Sequence, residues 1–376
     1  MSQTHIEFDI GNEYRPDEVT APGETLEEIL ADRRMTQTEL ADRLGMAQKT
    51  VNEIIRGKAP LTQETALALE SVLGIPASFW NRYEAAYRES LARRAGASRL
   101  VSATEWLAKT PWKAASELGW LRVRSNPADQ LEEVLRFLGI ASPEQFDRVY
   151  GVLAVQWRQP VASSSDVYAR AFWLRRGEIE AAKLARSLDL TWNAYDGRLF
   201  EACLADARLL ALDLDPRSFV PSLQRLCASA GVAVVFVQEL KGTRASGATR
   251  WLAPDRALIQ LSLRYRWHDS LWFSFFHESC HVVKHPKRGI FVEEAGQMET
   301  EFETEANGFS ENLLIPKREF AGFRAAGQFT DAAIMEFARN IGVHPGIVVG
   351  RLHKEELVRP NRFNELRQRY SPPAGL

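Results

Sequence analysis

The chain has 376 residues, with 47 Lys and Arg against 49 Asp and Glu for a net charge of −2, and 45% of it is apolar. That composition excludes a disordered chain, and it excludes nucleic-acid attraction through the overall field, so any such contact must come from a local basic face. The length exceeds one typical core and predicts two or three domains.

Residues 1–20 are polar and lack a clear period. A helical block begins at Pro22-Gly23-Glu24 and runs to about Arg94, and residues 100–215 also read as helical. The clearest piece of the latter is 168–188; a break near Asp189 precedes another helix over 191–212. The period then changes. Residues 232–237, 248–252 and 258–263 read as strands, bounded by Gly231, Lys241-Gly242 and Pro254-Asp255. A long helix is expected from Asp269 or Ser270, either of which can cap it, to the breakers Pro286 and Gly289. After Pro316 the chain is helical again. Cys203, Cys227 and Cys280 form no C-x-x-C pair, which suits a reducing compartment. There is no signal-like N-terminus and no apolar run near the ~20 residues that span a bilayer, so the expectation is a soluble cytoplasmic protein with no membrane contact.

Within residues 24–73 four short helices are separated by tight turns. Leu26, Ile29 and Leu30 give the first its apolar stripe; Thr36 caps the second, whose stripe is Leu40, Ala41 and Leu44. Gly45-Met46 turns the chain into a third helix over 48–55, with Val51, Ile54 and Ile55 inward and Gly57 at its end. Two helices across a short Gly-containing turn are the helix-turn-helix pattern, against the plainer reading of a small bundle with a solvated face. The third helix offers Gln48, Lys49, Thr50, Asn52 and Arg56 to DNA, with Gln37 and Lys58 placed for phosphates. Pro22-Gly23-Glu24-Thr25-Leu26, Thr36-Gln37-Thr38-Glu39-Leu40-Ala41 and Asn52-Glu53-Ile54-Ile55-Arg56-Gly57-Lys58, continuing through Leu73-Gly74-Ile75-Pro76 and Phe79-Trp80 to Tyr87, resemble the XRE-type domain of HigA-family antitoxins. The resemblance implies a five-helix lambda-repressor-like domain. It also implies operator binding as a homodimer, repression of its own promoter and a cognate toxin encoded nearby.

His277-Glu278-Ser279-Cys280-His281 is an H-E-x-x-H run in the long helix. Residues four apart on a helix lie about 40° apart around the axis and about 6 Å along it, so both imidazoles reach one tetrahedral ion. Glu278, between them, is placed to handle a water proton. The aromatic and aliphatic flanks Phe273, Phe275, Phe276, Val282 and Val283 bury the helix, where two imidazoles and a carboxylate are costly unless satisfied. Glu299, Glu301, Glu303 and Glu305 follow as candidates for a third ligand. Helical phase leaves Glu303 and Glu305 open, because they flank the stripe Phe302, Ala306, Phe309 and Leu313 on opposite sides. His285 sits about 12 Å along the axis from His277, too far to share one ion with it. Tyr265, Arg266 and His268 are minor candidates for charge stabilisation, and Cys280 is expected to pack.

Phe276-His277-Glu278-x-x-His281, then Glu303-Thr304-Glu305-Ala306-Asn307, Phe309-Ser310 and Leu313-Leu314-Ile315-Pro316, resemble the ImmA/IrrE metallopeptidase family over about residues 215–316. The resemblance implies Glu303 as third ligand with His277 and His281, Asn307 as a partner orienting a ligand histidine, Glu305 as the fallback ligand and Glu278 as the catalytic base. Zn2+ is the metal implied, and residue type leaves Mn2+ or Fe2+ open. The tail around 341–352 resembles the helical end of antitoxin–peptidase fusions.

The expected fold is therefore multidomain and mainly α with a C-terminal α+β zincin-like domain. The parts are a tail (1–20), a helix-turn-helix domain (21–95), a helical connecting region (96–215), a peptidase core (216–320) and a helical tail (321–376). The expected function is a bacterial DNA-binding regulator carrying an endopeptidase that cuts a helix-turn-helix repressor or itself. The alternative is a repressor whose zincin domain is a catalytically silent sensor or scaffold.

Overall fold

The computed structural model describes residues 20–151, 164–186, 192–262, 267–287, 290–294 and 301–370; of 93–102, 164–166 and 290–294 it describes the backbone only. The tail over 1–19, Asp189, Tyr265, Arg266, Gly289 and Glu299 lie outside the described residues. The chain forms two compact units that meet at Ser102 and Ala103 in sequence.

The described residues of the first unit form five helices: α1 (Pro22–Asp32), α2 (Gln37–Leu44), α3 (Gln48–Ile55), α4 (Gln63–Leu73) and α5 (Ala77–Ser102). Thr36 Oγ1 accepts the amide of Glu39 at 3.1 Å, and Gly45 closes α2 at φ 65°, a conformation glycine adopts without Cβ strain. Leu26, Leu30, Leu40, Val51, Ile54 and Trp80 form one buried core. A Cβ on Gly23 would lie 2.2 Å from the Ile55 carbonyl oxygen, so α1 and α3 approach as closely as they do only because residue 23 lacks one.

The second unit is mostly helical around one small sheet. Its elements are α6 (Thr104–Lys109), α7 (Trp112–Glu117), α8 (Pro127–Leu138), α9 (Phe146–Tyr150), α10 (Ser164–Arg186), α11 (Gly197–Leu210) and α12 (Pro216–Ser229). Then come β1 (Val232–Phe236), β2 (Ala245–Ala253), β3 (Arg256–Leu261), α13 (His268–Lys284), β4 (Ile290–Glu294), α14 (Glu301–Leu314), α15 (Lys317–Ala326), α16 (Asp331–Ile341) and α17 (Pro345–Lys354). The sheet order is β1-β3-β2-β4, with β1 and β3 parallel and the other pairs antiparallel. Strand β4 has no counterpart in the sequence expectation.

Register decides which helix covers which face, because successive strand residues point to opposite sides. Thr249 pairs with Ile259, and its side chain touches Glu278 on α13. Ala248 pairs with Gln260, whose Nε2 donates to the carbonyl of Trp173 on α10 at 2.8 Å. Arg250, on the same face as Ala248, pairs with Glu178 of α10. The sheet is thus sandwiched between α13 and α10. The helical connecting region expected over 96–215 falls, from Ala103 onward, within the second unit. A small sheet with apolar residues on both faces needs both covered.

Helix α13 begins one residue before the expected caps, at His268, with Trp267 at the N-cap and no side-chain cap. Asp269 is committed instead to Arg367, 2.7 Å away. The helix ends at Lys284, and His285, the residue before the expected breaker Pro286, turns extended. No helix among the described residues is long and apolar enough to cross a membrane.

Candidate metal centre and nucleic-acid interface

Helices α13 and α14 run antiparallel. His281 lies against Glu303, His277 against Glu303 and Asn307, and the Ser310 hydroxyl donates to the Phe273 carbonyl at 2.9 Å. Within this pair three donor groups converge. His277 Nε2 is 3.2 Å from His281 Nε2, 3.0 Å from Glu303 Oε2, and His281 Nε2 is 3.5 Å from Glu303 Oε1. A tetrahedral ion with bonds near 2.0–2.1 Å separates its ligand atoms by about 3.3 Å, so the donor set fits such an ion. Among the described residues His277, His281 and Glu303 are the group with this geometry. Both histidines are fully buried, and Glu303 keeps 15% of its side chain exposed, which leaves the cluster approachable from α14.

The surroundings set the tautomers. His277 Nδ1 donates to Asn307 Oδ1 at 3.1 Å, which leaves the Nε2 lone pair facing the cluster. His281 Nδ1 and His285 Nδ1 are 2.6 Å apart, and His285 Nε2 is 3.3 Å from Glu305 Oε2. With Glu305 accepting from His285 Nε2, His285 Nδ1 accepts from His281 Nδ1, and His281 also turns its Nε2 lone pair inward. Burial, reinforced by the two neighbouring imidazoles, pushes the pKa of His281 down to about 2, so the ring is neutral throughout the physiological range.

These contacts separate residues that helical phase left together. Glu305, the fallback ligand, is outside the cluster: its carboxylate is held by Lys284 at 2.9 Å and by His285, and those two bonds lower its pKa. His285 is likewise outside this group and stands behind His281. His268 is remote from the cluster; its Nε2 donates to the Ala211 carbonyl at 2.8 Å and burial lowers its pKa to about 4. The Cys280 thiol is buried and its pKa is pushed up to about 12 by that burial, which suits packing rather than ligation.

Glu278 is held from the sheet. Thr249 Oγ1 donates to Glu278 Oε2 at 2.7 Å and lies 2.9 Å from the Glu278 carbonyl oxygen. Gly247, two residues earlier on the same face of β2, has no room for a side chain: a Cβ there would sit 2.6 Å from Glu278 Oε1. Sequence reasoning missed both residues. A glycine inside a strand is a signal of close approach, but the expected strand began at Ala248 and left Gly247 outside it.

On α3 the residues Gln48, Lys49 and Asn52, continued by Arg56 at its end, fall on one face by helical phase. Gln48, Lys49, Arg56 and Lys58 are exposed, and Gln37 and Asn52 are half-buried. Asn52 Nδ2 donates to Gln37 Oε1 at 3.3 Å, tying the start of α2 to the middle of α3. Lys49 lies 3.8 Å from Glu53. Thr50 is half-buried at the edge of the stripe formed by Val51, Ile54 and Ile55.

Residues 26–80 match the helix-turn-helix family, and residues 252–353 match the peptidase family described as IrrE N-terminal-like domain. The chain joins a helix-turn-helix domain to an IrrE N-terminal-like domain. The IrrE N-terminal-like match opens in β2, takes in the whole histidine–glutamate cluster and ends in α17. A solved structure of an addiction module antidote protein of a HigA family from Coxiella burnetii is similar at 28% identity over 23% of this chain and 94% of its own, with a TM-score of 0.21. Among curated proteins nothing matches the chain.

Proposed function

We propose that this chain is a bacterial DNA-binding regulator, HigA-like in its first domain, that carries a zinc-dependent endopeptidase. The observation that carries the peptidase half is the convergence of His277, His281 and Glu303 within 3.0–3.5 Å beside a buried Glu278. His277, His281 and Glu303 would hold the metal, which when bound supplies Lewis acidity toward a peptide carbonyl and acidifies water. Asn307 and the His285–Glu305 pair keep the two imidazoles in the coordinating tautomer. Glu278, steadied by Thr249, takes the proton of the attacking water and returns it to the leaving amine. The DNA half is supported by Gln48 and Lys49 exposed on α3 and Arg56 exposed at its end, with Asn52 locked to Gln37; Lys58 is exposed in the following turn, and Thr50, half-buried, is the remaining candidate contact. Homodimers on an operator, a cognate toxin, and a helix-turn-helix repressor or the chain itself as substrate complete the reading, with proteolysis acting as derepression in the cytoplasm.

The test is elemental analysis of the full chain purified without chelator, beside His277→Ala and Glu278→Gln, with cleavage of an unstructured peptide mixture read by mass spectrometry. The reading expects about one zinc per chain, lost in His277→Ala and kept in Glu278→Gln, with cleavage lost in both. Metal retained without cleavage in the parent chain supports the silent sensor instead. No metal after reconstitution sinks the peptidase reading. Binding to its own promoter that weakens steeply with salt tests the DNA half separately.

A further inference from the structure

The ligand-bearing stripes of α13 and α14 do not stop at the metal cluster. On α13, Phe273, Ser274 and Ser270 lie four, three and seven residues before His277, so they share its face. On α14, Glu311 and Leu314 lie four and seven residues beyond Asn307 and continue that stripe. Both stripes run into one cavity of about 420 Å³, closed on the strand side by Ser246, next to Gly247, and on the far side by α17 through Ile347, Gly350, Arg351 and Lys354. The cavity begins one turn from the cluster, with the Phe273 and His277 rings 6.1 Å apart, and its lining on α13, from Asp269 to Ser274, spans about 7 Å along the helix.

We infer that this cavity receives the side chain of the substrate residue next to the scissile bond, and that it selects a large apolar or aromatic one. The inference rests on the peptidase reading above and names the substrate class of that site. The volume falls in the range of ~300–1,000 Å³ that ligand pockets occupy. Phe273, Leu314, Ile315 and Ile347 supply apolar wall. Both carboxylates of the lining are already committed to cations. Glu311 holds Arg351 at 2.7 Å and Lys354 at 2.9 Å, and Asp269 holds Arg367 at 2.7 Å. A basic substrate side chain entering the cavity would give up its hydration for carboxylates that already have partners, whereas a phenyl ring gives up none. The Lys354 ammonium, 4.2 Å from the centre of the Phe273 ring, stands with Arg351 against a further cation.

The test uses the zinc-loaded full chain and three malonyl hydroxamates that differ only on the central carbon: unsubstituted, benzyl and 4-aminobutyl. The hydroxamate engages the metal in all three, so the substituent alone reads the cavity, and Kd is measured by calorimetry. The inference expects the benzyl compound to bind at least about tenfold tighter than the unsubstituted one, the gain of burying an aromatic side chain, and the aminobutyl compound no tighter. Ser270→Trp, which fills the cavity from its wall, is expected to erase the benzyl advantage and leave the unsubstituted Kd unchanged; Ser270→Leu is expected to remove part of it. Equal Kd for benzyl and unsubstituted compounds, or a benzyl advantage that survives Ser270→Trp with the unsubstituted Kd intact, overturns the cavity's role and leaves the metal site standing. Benzyl binding undiminished in His277→Ala overturns it too, because the cavity then binds independently of the metal. If none of the three binds the zinc-treated chain, the peptidase reading falls and the inference falls with it.

Discussion

Gly247→Ala separates holding the metal from using it. The added Cβ would lie 2.6 Å from Glu278 Oε1 and 2.7 Å from its Cγ, while ordinary contact begins near 3.4 Å. Something must therefore give by about 0.8 Å. Glu278 is fully buried and held by the Thr249 hydroxyl at 2.7 Å, and Gly247 is paired on both sides, to Leu261 and Glu293. The carboxylate is the group that moves, since its side chain rotates more cheaply than a doubly paired strand shifts. A misplacement near 1 Å at a reacting group costs about 10²-fold in rate, so kcat is expected to fall about 30- to 100-fold. Overpacking adds a stability loss of about 1–3 kcal/mol. Zinc content stays at the parent value, because His277, His281 and Glu303 do not touch Gly247. Metal analysis, thermal melting and turnover of a peptide cut by the parent chain read the three consequences. Gly322→Ala, where a Cβ meets nothing within 4 Å, controls for glycine replacement itself. Turnover within about twofold of the parent, with metal and fold intact, would refute the placement of Glu278 as a base positioned from β2.

Asn307→Leu removes the acceptor of His277 Nδ1. Zinc affinity is expected to fall about 10- to 100-fold in a chelator competition, and an unchanged affinity would show that Asn307 does not orient the ligand. His268→Gln probes the pH dependence of the fold. The folded imidazole titrates near 4 against 6.5 for its ordinary value, because burial and the neighbouring His344 disfavour its charge. Between those values the unfolded chain binds more protons, so stability falls as pH drops from about 6.5 toward 4, by up to about 3 kcal/mol. Denaturant melts of His268→Gln across that window are expected to show a shallower decline than the parent; parallel curves would contradict the assignment.

What the sequence made legible was local in origin. The turn at Gly45, the cap at Thr36 and the apolar stripe of α3 are set by neighbours within one or two turns, and the structure has them where they were expected. The spacing of His277 and His281 is equally local. The choice between Glu303 and Glu305 was not, because it depends on how α14 lies across α13 and on Lys284 and His285 drawing Glu305 away. Thr249 and Gly247 reach Glu278 through strand register, which an alternating pattern does not fix to a particular partner helix. The cover of the sheet by α10 depends on Gly177, where a Cβ would lie 1.8 Å from Gln260 Oε1, a contact 83 positions away in the chain.

Helix α14 shows why the distant pieces must act together. Along it Glu303 meets both histidines, Asn307 holds the His277 ring, Ser310 donates to the Phe273 carbonyl, and Glu311 binds Arg351 and Lys354 of α17. At its end Arg208 of α11 donates to the carbonyls of Leu313 and Leu314 and also to that of Ile341, joining α14 and α16. Slipping α14 by one residue rotates every side chain by about 100° and breaks all of these contacts at once. The position of Glu303 is therefore fixed by a full helix of contacts with α11, α13 and α17. Two of those helices lie outside the stretch from His277 to Glu303, which is why the helical segments on either side pack into the same compact unit as the histidine–glutamate cluster.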